Sequence, residues 1–593
     1  MFNRSGSVPD TVIEITSAKK PSRFSDASLR YWALAVIAIA GLFRVWVGRY
    51  SMDPDGMCYL DLGDAFFRRR WFDAVNGYWS PLYSLLLGAA MFVVKPSRQW
   101  EFPVLHAVNF IIYLAAFAGF EFFLRSLLPR VAKERGGAKG AAALSRVSLL
   151  ALAYSLFLWT SLELITVWSA SADLCVAGFV YLIAGLLLRV REKSSWSLYV
   201  FLGAVLGLAY LTKAVMFPLG FAFMGIGFFC VPREKRLAYT VVVTSTFLAV
   251  SAPWIVALSR AKGRFDYGDT GHLNYSTLVS PGGRNLNWQG EPPGSGVPVH
   301  TTRQIHKNPP IYEFATPVGG TYPPSFDPSY WGEGRRVTFN VRAQLRVIKE
   351  HLLTYAGMLL RDQPGLLAAA LALILAGGAV TRKAILANWP LFLMCFAAGG
   401  LYMLVHVETR FVGGYVSVFW LAILAGLRVD ISGKQSATAT SDEIALEPGN
   451  LDSRGKLAEY LAAAVVVTIL LSVADGTVHA VQAGGPYSAH DQIAVADGLN
   501  RDGVRPGDQI AVVGDGNWSY WARLGKFKIV SAIVGPDAPT FWQEPQEQKD
   551  EIYRLFAGTG AKLVVTAGPP TVEPGGGWRR IGTTAYFTHS LSQ

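Results

Sequence analysis

The strongest constraint on this chain is a segment type that recurs along it: an apolar run close to the ~20 residues an α-helix needs to cross bilayer hydrocarbon. Such runs fall near 31–48, 80–95, 102–127, 147–163, 165–189, 197–214, 216–231, 237–258, 356–379, 384–406, 411–428 and 456–474. The fold class they imply is an α-helical polytopic membrane protein with about 11–13 transmembrane helices. Only 16% of the residues are charged, against ~25% in a soluble domain.

The formal charge of +12 does not point to nucleic acid. The basic residues gather in short loops beside apolar segments: "RVREKSS" (189–195), "PREKR" (232–236) and "TRK" (381–383). Under the positive-inside rule these loops are cytoplasmic. Counting crossings from them puts Asp173, Lys213, the 259–350 loop, the "HVETR" turn and the C-terminal domain on the opposite face. The four cysteines, Cys58, Cys175, Cys230 and Cys395, show no CxxC spacing, so neither a disulfide framework nor a zinc knuckle is indicated.

The expected organisation has five parts. Residues 1–30 are a cytoplasmic tail, too polar for a signal peptide. Residues 31–258 form an N-terminal transmembrane module with a first outer loop at 49–80. Residues 259–355 are a long outer loop. Residues 356–475 hold the last transmembrane helices and a cytoplasmic linker at 429–455. Residues 476–593 form a small α/β soluble domain. In that domain "QIAVVG" (509–514), "KIVSAIVG" (528–535) and "KLVVTAG" (562–568) read as strands, with helices in "DQIAVADGLNRDG" and "QEQKDEIYRLFAG". "GDGNWS" reads as a plain βα turn, since it lacks GxGxxG.

One ambiguity sits in the N-terminal part. Both the polar N-terminus and the basic loop at 129–146 should be cytoplasmic, so an even number of crossings separates them. Three apolar segments lie there. Of the three, the segment 80–95 is the weakest, at sixteen residues, and either it inserts without spanning or the N-terminus faces outward.

Chemistry concentrates in two stretches. "DPDGMCYLDLGDAF" (53–66) holds four carboxylates within twelve residues. Asp53 and Asp55 flank a proline and precede a glycine, which suggests a tight turn. Asp61 and Asp64 suggest the solvated face of an interfacial amphipathic helix, with Arg68, Arg69 and Arg70 near headgroups. "HVETRFVGGY" (406–415) wedges charges between two apolar segments, where ionisable groups are costly. Glu163, Asp173, Lys213 and Arg44 are further boundary charges; Asp173 needs a partner, while Lys213 can snorkel. The aromatic "GYWSPLY" (77–83) suits a sugar or a lipid. An acid as base, cations for a phosphate and an aromatic rim fit glycosyl transfer from a lipid-linked phosphosugar. A flippase for such lipids is the alternative, although no inverted repeat is visible.

With these residues in view, the chain resembles the GT-C glycosyltransferases, in the group of protein O-mannosyltransferases and the lipid A aminoarabinose transferase. The matching features are Asp55 followed by Tyr59, the helix start "WSPLYSLL" with Tyr83, Asp173 at a later helix, "GLAYLTK" ending at Lys213, and "ETRF". Together they span roughly residues 30–260 and 350–430. The resemblance implies a GT-C fold, a polyprenyl-phosphate sugar donor and a lipid, glycan or protein acceptor. It also implies an inverting reaction on the outer, periplasmic side of a bacterial inner membrane. Asp55 would be the general base, and Asp53 shares that role because the family's acidic pair is Asp55-Gly56 here. Arg410 would bind the donor phosphate. His406 and Glu408 would be analogues of a divalent-metal pair. The long outer loop would bind acceptor through His272, His300 and Asp327.

Overall fold

The computed structural model describes residues 26–137, 141–280, 302–314, 319–329, 337–430, 449–482, 489–568 and 576–591. Among these residues, eight helices are long and apolar enough to cross a bilayer, and four shorter apolar helices accompany them. Arg146–Ile165 and Asp173–Glu192 are mostly buried, whereas Asp26–Val47, Arg233–Lys262, Pro364–Leu386 and Gly455–Gln482 leave most of their surface outward. The bundle therefore has an inner and an outer ring.

All twelve apolar segments are helical in part, with two displaced boundaries. The segment expected at 356–379 straddles a break. The amphipathic helix Val341–Leu360 ends, and Pro364, at the first turn of Pro364–Leu386, starts the next. The segment expected at 165–189 begins only at Asp173. Before it, a π-helical turn at Thr160–Ile165 ends at Thr166, a non-glycine residue at φ 67°.

Residues 80–95 do not cross the bundle. The helix Pro81–Val94 has 14 residues, about 21 Å at 1.5 Å per residue, short of the ~30 Å hydrocarbon core. Both of its ends face the same layer. Ser80 lines a cavity with Asp55. Just beyond Lys95, Arg98 donates to the Leu524 carbonyl of the soluble domain at 2.9 Å. This helix lies against Pro54–Phe67, and the two backbones touch at glycine: a Cβ added to Gly63 would sit 2.9 Å from Gly88 Cα. Between the N-terminus and the basic loop at 129–146, Asp26–Val47 and Glu101–Gly137 are then the helices long enough to cross, the even number that the charge pattern calls for. The far end of the bundle carries a short antiparallel pair of strands, β1 (Ala141–Ala143) with β4 (Arg428–Asp430). It joins the two loops read as cytoplasmic.

The soluble domain holds a seven-stranded sheet built from β2 (Thr302–Lys307), β3 (Pro310–Phe314), β5 (Gln509–Gly514), β6 (Lys528–Val534), β7 (Leu563–Thr566), β8 (Arg579–Arg580) and β9 (Phe587–Ser590), in the order β2-β3-β6-β5-β7-β9-β8. Its parallel core is β5 (Gln509–Gly514), β6 (Lys528–Val534) and β7 (Leu563–Thr566), the three strands the apolar runs predict. Helices His490–Arg501 and Gln546–Gly558 form as their periodicity predicts. The antiparallel β8 (Arg579–Arg580) and β9 (Phe587–Ser590) close one edge. The other edge is a correction to the expected domain plan. Strands β2 (Thr302–Lys307) and β3 (Pro310–Phe314) come from the long outer loop, and β3 pairs antiparallel with β6. The loop at 259–355 and the domain at 476–593 share one sheet.

The helix Pro54–Phe67 corrects a second expectation. It is not an interfacial helix with solvated acids: Met57 through Gly63 are all buried. Asp61 is 6% exposed and accepts from Thr321 N at 2.6 Å and Thr321 Oγ1 at 3.0 Å. Arg523 of the soluble domain donates to Asp61 at 2.6 Å, Asp64 at 3.2 Å and Glu101 at 2.8 Å. A buried charge requires such partners; here they dock the soluble domain onto the bundle. Arg44 is likewise buried and paired with Glu163.

Candidate functional site

Asp55 is not on an isolated turn but in the first turn of the Pro54–Phe67 helix. Pro54 suits that position because it has no N–H to leave unpaired. Asp53 caps the helix, its Oδ1 accepting from Gly56 N at 2.9 Å. Its Oδ2 accepts from Ser169 Oγ and Ala170 N, both at 3.0 Å. Both oxygens are thereby committed, and Asp53 does not line the cavity that Asp55 faces.

That cavity, of about 390 Å³, opens at the end of the bundle away from the basic loops. Three acids face it from the starts of three helices: Asp55, Asp173 in the first turn of Asp173–Glu192, and Glu408 at the cap of Thr409–Gly426. Helix starts carry partial positive charge and favour anions. Two cations tie these acids together. Arg410 Nη1 and Nη2 each donate to Asp55 Oδ2 at 3.1 Å. Its Nε donates to Glu408 Oε2 at 2.6 Å and lies 3.6 Å from Asp173 Oδ2. Lys213, just past the helix ending at Thr212, donates to Asp173 Oδ1 at 2.5 Å. Its ammonium also sits 3.5 Å from the centre of the Phe411 ring, a cation–π contact. Lys213 therefore turns inward to a partner rather than snorkelling.

The site's electrostatics separate the two acids outside the spanning helices. Burial pushes the Asp55 carboxyl up to about 6, against the pull of Arg410. Burial acts on Glu408 in the same sense, but hydrogen bonds from His406 and Arg410 outweigh it and hold this carboxyl down at about 2. Asp55 has 29% of its side chain exposed to the cavity. It is accessible, weakly basic near neutrality, and paired with a cation that a stronger anion would attract.

The rest of the lining is largely aromatic: Tyr59, Tyr78, Trp79, Tyr267 and Tyr402, with Thr270 and Asn274. Tyr78 donates to Asn274 Oδ1 at 3.0 Å. Tyr59 packs edge-on against Trp79 and Tyr83, with ring centres 4.9 and 4.8 Å away. Tyr83, fully buried, donates to Asn109 Oδ1 at 2.7 Å; it supports the wall from behind and does not line it. Of the outer-loop candidates, His272 is exposed on the helix Thr270–Leu278 while its neighbours Gly271 and Asn274 line the cavity. Asp327 is buried elsewhere, its Oδ1 accepting from Ser329 N. His300 lies outside the described residues. "GYWSPLY" signals Tyr78, Trp79 and Ser80; no sequence signal marks Asn274.

His406 and Glu408 both line this cavity. His406 Nε2 lies 2.9 Å from Glu408 Oε1, and the other Glu408 oxygen is held by Arg410. Among the described residues no group of three or more His, Cys, Asp or Glu side chains could hold an ion.

No protein-family model and no curated protein matches the sequence. Solved structures do match. ArnT from Cupriavidus metallidurans bound to undecaprenyl phosphate aligns with a TM-score of 0.53 and 12% identity, covering 95% of this chain and 98% of that one. The same protein in the apo state aligns with a TM-score of 0.50 and 12% identity, over 94% and 98%. The Archaeoglobus fulgidus oligosaccharyltransferase tethered to an acceptor peptide gives 0.46 and 14%, over 90% and 69%. The chain has the fold of ArnT along nearly its whole length, the GT-C architecture its motifs resemble.

Proposed function

We propose that the protein is a membrane glycosyltransferase that moves a sugar from a polyprenyl-phosphate carrier to an acceptor hydroxyl. The observation that carries this reading is the Asp55–Arg410 pair: an accessible carboxylate with a raised pKa, held by the cation that would bind the donor phosphate. The ArnT structure with bound undecaprenyl phosphate supports a carrier of that class. The cavity's position opposite the basic loops supports a site on the periplasmic face of an inner membrane.

In the mechanism, the donor phosphate draws Arg410 and Lys213 toward itself and leaves Asp55 free. Asp55 takes the proton of the acceptor hydroxyl. The acceptor oxygen forms its bond to the anomeric carbon as the bond from that carbon to the phosphate oxygen breaks. The departing polyprenyl phosphate carries away the electron pair, and the added negative charge is stabilised by the guanidinium and ammonium. Attack opposite the leaving group inverts the anomeric centre. The aromatic wall from Tyr59 to Trp79 gives the sugar ring a face to stack on. A flippase reading is less supported, because the charged groups gather at one end of the bundle rather than at mid-membrane.

The test is transfer from a panel of polyprenyl-phosphate sugars by the purified chain and by Asp55→Asn. Donor consumption by the wild type and its loss in the variant supports the reading. A fully active variant removes Asp55 as base, and no consumption of any donor removes the reading.

A further inference from the structure

A second cavity, of about 570 Å³, flanks the far end of the Pro54–Phe67 helix, where Asp64, Phe67 and Arg68 face the turn at Lys95 and the 523–526 turn of the soluble domain. Its charge differs in sign from that of the Asp55 site. Arg68, Lys95, Arg98, Arg523 and Lys526 line it against only Asp64 and Glu101. Both acids are already committed to Arg523. Arg98 holds Asp497 and the Leu524 carbonyl. Arg68, Lys95 and Lys526 are exposed, with no ion pair among the described residues. The groove's apolar side is the packed pair Phe67 and Phe92, ring centres 5.4 Å apart. It continues into the exposed Val93, Val94 and Trp100. An apolar strip ending in tryptophan beside a soluble domain is the profile of a bilayer interface.

We propose that this groove binds the headgroup of an anionic phospholipid from the surrounding bilayer. Its phosphate lies among Arg68, Lys95 and Lys526, and its acyl chains run along Phe92 and Val93. Three unpaired cations select for net negative charge, since a zwitterionic headgroup brings its own ammonium into the same space. The lipid joins the lateral helix pair to the soluble domain at the point where Arg98 and Arg523 already do. This site stands apart from the reading of the Asp55 cavity.

The experiment places the full chain in nanodiscs of phosphatidylcholine with added phosphatidylglycerol and measures which lipid is retained on extraction, by native mass spectrometry. The variant is Arg68→Gln, Lys95→Asn, Lys526→Asn. Asparagine is chosen because Lys95 and Lys526 have φ of 48° and 58°, a left-handed conformation it tolerates. The wild type should retain phosphatidylglycerol preferentially. The variant should lose that preference by roughly tenfold, an effect limited by salt screening of exposed charges. The charge-conserving Arg68→Lys, Lys95→Arg, Lys526→Arg should keep it. Equal retention of both lipids by the wild type, or unchanged preference in the neutral variant, overturns the proposal. Displacement of phosphatidylglycerol by a phosphate-bearing acceptor lipid also overturns it, since the acceptor is then the occupant.

Discussion

Arg410 places both terminal nitrogens 3.1 Å from a single oxygen of Asp55, across 355 residues of sequence. In the free protein the proposed base and the proposed phosphate ligand are therefore each other's partner. The other Asp55 oxygen is left to the cavity, and a phosphate entering there competes with Asp55 for Arg410.

The first prediction concerns the proton. Asp55, raised to about 6, is protonated below that pH and cannot act as base. Transfer measured as kcat/KM should rise as pH increases through about 6 and level off above it. Asp55→Asn should lower transfer by about 10²–10⁴-fold and abolish that limb, with binding of undecaprenyl phosphate retained.

The second concerns the coupling. Arg410 pulls the Asp55 pKa down, so Arg410→Ala should move the acid limb to higher pH as well as weaken donor binding. Losing a preorganised cation at a departing phosphate costs on the order of a hundredfold in rate. A pH profile at saturating donor separates the two effects; an unmoved limb would show that the pair is not coupled.

A third separates Asp53 from Asp55. Asp53→Asn keeps an oxygen for the helix cap, whereas Asp53→Ala removes it at about 1 kcal/mol. Thermal melts in detergent should rank Asp53→Ala below Asp53→Asn. Both should retain the pH limb, which belongs to Asp55, and move it to lower pH, because the Asp53 charge helps to raise the Asp55 carboxyl.

The fourth tests docking of the soluble domain. Arg523→Met leaves Asp61, Asp64 and Glu101 without their shared cation. Removing one partner of a buried ion cluster costs about 3–5 kcal/mol. Limited proteolysis should cut the variant between bundle and soluble domain sooner than the wild type.

Much of this architecture is legible in the sequence because it follows from hydrophobic pattern. Apolar length marks the helices, and short β-rich runs ending in glycine mark β5, β6 and β7. The site is legible where a charge has no cheap alternative. Asp173 stands at a membrane boundary, where burial demands a partner, and Lys213 and Arg410 supply it; Lys213, whose long stem reads as able to snorkel, turns inward to that acid instead. Asp61 was not legible, since its partner Arg523 is more than four hundred positions away and nothing local distinguishes a docked acid from a solvated one. Strands β2 and β3 were hidden for a related reason: "TRQIHK" and "PIYEF" are polar or mixed, and become strands by pairing at a sheet edge. The apolar run 80–95 is short for a span without excluding one, and the contacts at both ends of its helix place it in one layer.

The shared sheet also sets an order of assembly. Tyr312 pairs with Ala532, and the last transmembrane helices lie between them in the chain. During synthesis the β2–β3 hairpin emerges first and must wait, its edge unpaired, until those helices are inserted and β6 has been delivered to the same side. A topology error in any of those insertions would strand the hairpin from its partner. The β3–β6 seam can therefore form only on a chain whose intervening helices leave both strands on the same side of the membrane.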